Sequence, residues 1–99
     1  DIGVEGALIM DDIAGWRKRI DEIDREILTL LNERAGCAVE IGKLKRLADD
    51  DIYDPERECF IMTRLRDLNK GPLDDETVER LFRVVIEECR SKESDESVD

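Results

Sequence analysis

Apolar residues recur through the first half of the chain at alternating steps of three and four: Ile13, Trp16, Ile20, Ile23, Ile27, Leu30, then Cys37, Ile41, Leu44 and Ala48. Such steps place side chains along one stripe of an α-helix, and here they persist over five heptads without a proline. The pattern predicts one very long helix from Asp11 to about Ala48, with Asp11 or Asp12 as its N-cap. Gly36 and Gly42 interrupt its second half, each costing about 1 kcal/mol relative to alanine. That cost is tolerated where a partner backbone or a ligand must come close.

A second helix is announced by Asp54 as N-cap, Pro55 at the first helical position, and Glu56 and Glu58 in the first turn. It continues through Ile61, Met62, Leu65 and Leu68 and stops at Asn69-Lys70-Gly71-Pro72, where glycine can take a left-handed cap. A third helix begins near Asp74 and carries Val78, Leu81, Phe82, Val85, Ile86 and Cys89 on one face. The expected fold class is therefore all-α, three helices per chain. Residues 11–93 form the domain, 1–10 an N-terminal extension consistent with vector residues before a start at Met10, and 94–99 a polar tail expected to be disordered.

Helix length bears on assembly. A helix of some 37 residues is about 55 Å long, whereas a compact domain of 100 residues has a radius of gyration of about 13 Å. Two shorter helices cannot cover that seam, so the pattern predicts self-association, most simply an intertwined homodimer in which two long helices run together.

Composition narrows the chemistry. The 99 residues include 27 acids and 16 bases, a net charge of −11, which disfavours nucleic acid and anionic membrane surfaces as partners. No apolar run approaches the roughly 20 residues that span a bilayer, and residues 1–10 lack the features of a signal peptide. Histidine is absent, removing His-based triads and His-ligated zinc. Cys37, Cys59 and Cys89 are far apart and show no CxxC spacing, so buried free thiols in a reducing cytoplasm are expected, with neither a disulfide framework nor a metal site.

The seam breaks its own rule at position 34, where the step from Leu30 lands on an arginine. Buried alone, Arg34 would cost several kcal/mol, so it needs an ion pair, a snorkelling path to water, or an anionic ligand. Lys45 follows eleven residues later on nearly the same face, about 16 Å along the axis, and the two arms could converge on one small anion. Arg17 points about 100° away from Arg34, and in an antiparallel pairing could reach a partner's site instead. Arg57 lies at the start of the second helix, where free amides and the dipole favour an anion. There the carboxylates of Asp54 and Glu58 could accept a hydrogen bond from a hydroxyl. Glu93 continues the apolar face of Val85 and Cys89; if desolvated, it would be protonated more readily and could donate a hydrogen bond. A site of this kind suits a small dianion and chemistry without proton transfer or covalent intermediates.

From Trp16 to about Glu93 the sequence resembles the all-helical, AroQ-type chorismate mutases. The resemblance rests on WRKRIDEIDREILTLLNERAGCAVEIGKLK, YDPERE and VIEECRSKE. It implies a cofactor-free [3,3] Claisen rearrangement of chorismate to prephenate, in the branch of the shikimate pathway leading to phenylalanine and tyrosine. By resemblance, Arg34 and Arg57 bind substrate carboxylates, joined by Arg17 from the other subunit. Lys45 contacts a carboxylate and the ether oxygen, while Asp54, through its backbone, and Glu58 surround the ring hydroxyl. Ile41, Ile61 and Ile86 form apolar walls. Cys89 stands where some members have serine, and Glu93 where many have the glutamine that donates to the ether oxygen. Two alternatives accompany this expectation: an isochorismate pyruvate lyase of the same fold, and a non-catalytic helical dimerisation or regulatory module.

Overall fold

A computed structural model describes residues 2–95. It contains three helices, α1 (Ile2–Leu47), α2 (Pro55–Leu68) and α3 (Asp75–Glu93), and no strand among the described residues. The all-α expectation holds. The chain divides into two compact units, Asp1–Asn32 and Glu33–Asp99, so that α1 contributes to both. Among the described residues no helix is long and apolar enough to cross a membrane.

The first unit consists of the earlier turns of α1. Its apolar stripe is exposed, with Trp16 at 71% and Ile20 at 53%. The predicted N-cap at Asp11 or Asp12 is corrected: α1 begins at Ile2 and passes through both aspartates. Residues 1–10 contain no proline and include the helix formers Glu5, Ala7 and Leu8, so nothing there halts the helix. An interior aspartate costs only a few tenths of a kcal/mol, up to roughly 0.7.

The second unit joins the last turns of α1 to α2 and α3. α1 ends in a Schellman arrangement, in which Asp50 N–H donates to Lys45 O at 2.8 Å and Asp49 N–H to Arg46 O at 3.3 Å. Asp49 occupies the left-handed position that glycine usually fills, at φ 54°. The predicted caps of the other helices are present. Asp54 accepts from Arg57 N–H at 3.0 Å and Asp74 from Thr77 N–H at 2.8 Å. Between α2 and α3, Asn69 Nδ2 donates to Leu73 O at 2.9 Å and Asp75 Oδ1 at 2.8 Å, while Gly71 takes φ 76°.

α2 and α3 pack on each other, with Arg66 paired to Glu79 between them. The buried core is small: Ala38 from α1 with Ile86 and Cys89 from α3. Gly42 is buried beside them, and a Cβ placed there would lie 2.7 Å from the Glu93 Cα. The glycine thus lets the backbone of α3 meet that of α1, the kind of close approach its cost in helix propensity had suggested.

Burial of all three cysteines is corrected. Only Cys89 is buried; Cys37 and Cys59 are exposed. An apolar pattern marks a face, but burial requires another element against it. Cys37 borders an open cleft, and α2 turns Met62 and Leu65 inward while leaving Cys59 outward. Ser94 follows α3 as its C-cap, and residues 96–99 of the polar tail lie outside the described residues.

Candidate active site

The second unit holds a cleft of about 410 Å³ into which α1, α2, α3 and the loop before α2 all project. α1 contributes Arg34, Ile41 and Lys45 at helical intervals that place them along one side. The N-terminal turns of α2 supply Arg57, Glu58 and Ile61, with Asp54 capping the helix. α3 supplies Ile86, Cys89 and Glu93. Every predicted site residue except Arg17 therefore lines one cleft. Arg17 belongs to the first unit and is exposed there.

The cations differ in how they are held. Lys45 Nζ donates to Ile52 O at 2.9 Å, which ties the ammonium to the loop that α1's Schellman turn sends back. Its remaining N–H groups are left for a ligand. Arg57 lies with its guanidinium carbon 5.3 Å from the centroid of Phe60, one turn further along α2. Arg34 is half-buried and makes no hydrogen bond among the described residues, leaving its donor fork open to the cleft.

The acids are also distinct. Glu58 accepts from Arg90 Nη1 at 2.5 Å, a short charge-assisted bond, so it is an acceptor. Burial lifts the Glu93 carboxyl above the usual carboxylate range. Lys45, Arg34 and Arg90 pull against that shift, and Glu58 adds to it. Desolvation prevails, as it does for a carboxyl set on an apolar helix face. The main chain at Glu93 is fixed by α1, since Arg46 Nη1 donates to Glu93 O at 2.6 Å beside the Gly42 contact.

Four cleft residues lie outside the sequence-based expectation: Cys37, Ala38, Ile52 and Arg90. Cys37 and Ala38 follow Arg34 by three and four positions, and Arg90 follows Ile86 by four and precedes Glu93 by three. Helical spacing could have found those three. Ile52 has no such signal, because it is the apolar residue of an acidic loop. Among the described residues no group of three His, Cys, Asp or Glu side chains is placed to hold a metal ion.

Four cations, Arg34, Lys45, Arg57 and Arg90, stand with three acids, Asp54, Glu58 and Glu93, and aliphatic walls in one cleft, an arrangement able to take a compact organic anion. A family profile described as chorismate mutase type II matches residues 16–94. The chain belongs to the type II chorismate mutase family. It is 56% identical over 77 residues to a bifunctional chorismate mutase/prephenate dehydratase of Neisseria gonorrhoeae, a match that covers 78% of this chain and 21% of that protein. The chain spans about a fifth to a quarter of the length of the curated relatives of this kind that it matches. Among solved structures it is similar to chorismate mutase (form II) of Thermus thermophilus, with TM-score 0.83 and 37% identity over 85% of this chain and 96% of that one. It is also similar to Helicobacter pylori chorismate mutase in complex with prephenate, with TM-score 0.75 and 28% identity over 82% and 88% of the two chains. Chorismate mutases of about this length thus share the three-helix fold.

Proposed function

We propose that this chain is a chorismate mutase, converting chorismate to prephenate by a unimolecular [3,3] rearrangement, with residues 11–93 as the catalytic domain. The observation that carries the reading is the convergence of Arg34, Lys45, Arg57, Glu58 and Glu93 from three helices on one aliphatic cleft. In this reaction an ether C–O bond breaks as a C–C bond forms within one molecule, so no atom is donated or removed. Catalysis then rests on holding the folded, chair-like conformer and on stabilising charge that grows on the ether oxygen.

In this reading Arg34 and Arg57 bind the two carboxylates, and Ile41, Ile61 and Ile86 press the enolpyruvyl group against the ring. Glu58 and the backbone at Asp54 receive the ring hydroxyl. Lys45 and protonated Glu93 donate to the ether oxygen, and Cys89 lines the same cleft. The site is completed in a homodimer by the partner subunit's Arg17. The exposed seam from Ile13 to Leu30 supports that assembly, since soluble monomers rarely leave an apolar stripe of this length in water. Three free cysteines fit a reducing, cytoplasmic setting. The names of the similar proteins favour the mutase over the lyase and over a non-catalytic module.

The test supplies chorismate and isochorismate separately and identifies the products. Prephenate from chorismate is expected; salicylate and pyruvate from isochorismate, with no prephenate, would reject the reading.

A pH profile examines Glu93. Its carboxyl donates only when protonated, and burial raises its pKa. Activity is therefore expected to be full below that pKa and to decline as pH rises through it. Glu93→Gln, a permanent donor, should flatten the decline. A profile that is flat from about pH 5 to 9 and unchanged in the variant would remove Glu93 from the mechanism.

A further inference from the structure

Arg90 lines the cleft, and the roles assigned above leave it without one. Its Nη1 donates to Glu58 Oε2 at 2.5 Å, and its guanidinium carbon lies 4.7 Å from the centroid of the Tyr53 ring. Three elements thus meet at one guanidinium: α3 through Arg90, α2 through Glu58, and the loop before α2 through Tyr53. The two ion-pair side chains are 33% and 28% exposed. By contrast, Arg19–Glu22 and Lys43–Glu40 join residues three apart on a single helix, and both pairs are well exposed. Such pairs contribute little and fix nothing beyond themselves.

We propose that Arg90 is a positioning residue for the rearrangement, holding one oxygen of Glu58 so that the other is aimed as an acceptor at the ring hydroxyl of the substrate. The inference rests on reading the cleft as a chorismate site. A glutamate side chain has three rotatable bonds, and unrestrained it would sample orientations that miss the hydroxyl. A guanidinium held over the Tyr53 ring and donating through Nη1 to one carboxylate oxygen restricts that freedom, because the ring contact and the charge-assisted bond together fix where the donor stands. Tyr53 therefore orients Arg90, Arg90 orients Glu58, and Glu58 alone touches the substrate.

The experiment is a double-mutant cycle on the full chain with chorismate as substrate, reading kcat and KM for Arg90→Met, Arg90→Lys, Glu58→Ala and the Arg90→Met/Glu58→Ala pair. Arg90→Met is expected to lower kcat/KM about tenfold or more, and Arg90→Lys, which keeps a charged donor but not the planar group over Tyr53, to recover part of the loss. In the Glu58→Ala background there is nothing left to position, so Arg90→Met should change kcat/KM by less than about twofold. Losses that multiply independently, or an Arg90→Met variant with undiminished kcat/KM, overturn the proposal. Should Arg90→Met not fold, Arg90→Gln carries the same cycle and the same criteria. Absence of chorismate turnover by the unmodified chain rejects the functional reading itself. Turnover accompanied by independent losses overturns the inference about Arg90 alone.

Discussion

Lys45→Ala is expected to lower kcat/KM for chorismate by about 10²–10³ while the protein stays folded. The magnitude follows from the place proposed for the ammonium, against the ether oxygen. A donor that meets charge developing on the ether oxygen contributes about 3–4 kcal/mol at the transition state and much less to the ground state. The structural cost is smaller. The bond from Lys45 Nζ to Ile52 O at 2.9 Å is the one hydrogen bond described for this side chain, and a bond of this kind contributes about 1 kcal/mol net. Arg34→Ala should also lose activity steeply, with more of the loss in KM, because the carboxylate that Arg34 holds in the proposed site is present in substrate and transition state alike. Steady-state kinetics alongside thermal melting separate the effects. A non-catalytic helical module predicts the reverse pattern, with stability lost in Lys45→Ala and no turnover to lose.

Gly42→Ala should destabilise the chain, contrary to the usual gain from replacing a helical glycine by alanine. Helix propensity alone favours alanine by about 1 kcal/mol. Here the new methyl would meet main-chain atoms of Glu93, with the Cα at 2.7 Å and the carbonyl carbon at 2.8 Å, and a main chain cannot rotate out of the way. Forcing a carbon into a packed contact typically costs about 1–3 kcal/mol, so the clash outweighs the propensity. Relief would come from moving the last turn of α3, which would also stretch the bond from Arg46 to Glu93 O. The expected results are a lower melting temperature and a fall in kcat. The alkaline limb of the pH profile should also move to lower pH, because a displaced Glu93 is better solvated and loses part of the shift that burial gives it. A melting temperature equal to or above that of the unmodified chain would show that α3 can give way without cost.

The two substitutions draw on different kinds of information. Lys45 could be singled out from its spacing, because eleven residues after Arg34 is just over three helical turns. Gly42 could be flagged only as an oddity until Glu93 was seen against it. The same contrast runs through the site. Arg34, Ile41 and Lys45 share one helix, whose period relates them. Arg90 and Glu58 lie 32 positions apart on different helices, and nothing local joins them. Arg90 carries a usable spacing signal from Ile86 and Glu93, but a charged residue in the last turns of a helix is ordinarily a solvated one. For Cys37 and Cys59 the pattern misleads in the opposite sense, since an apolar stripe implies burial only where another element covers the face, and both side chains are exposed.

Local pattern was enough to establish the all-helical class, the starts of α2 and α3 and the ends of the helices, because caps, prolines and periodicity act over a few residues. It was also enough to show that residues 11–48 hold equal numbers of acids and bases, so the acidity lies mainly outside the part of α1 that carries Arg34 and Lys45. The beginning of α1 escaped it, as aspartates that could cap a helix are also tolerated inside one. The close approach of α3 to Gly42, the Arg90–Glu58–Tyr53 cluster and the desolvation that raises the Glu93 pKa became visible only in the packed chain. Each depends on distances between segments far apart in the chain, and those distances are set by packing rather than by the propensities of neighbouring residues.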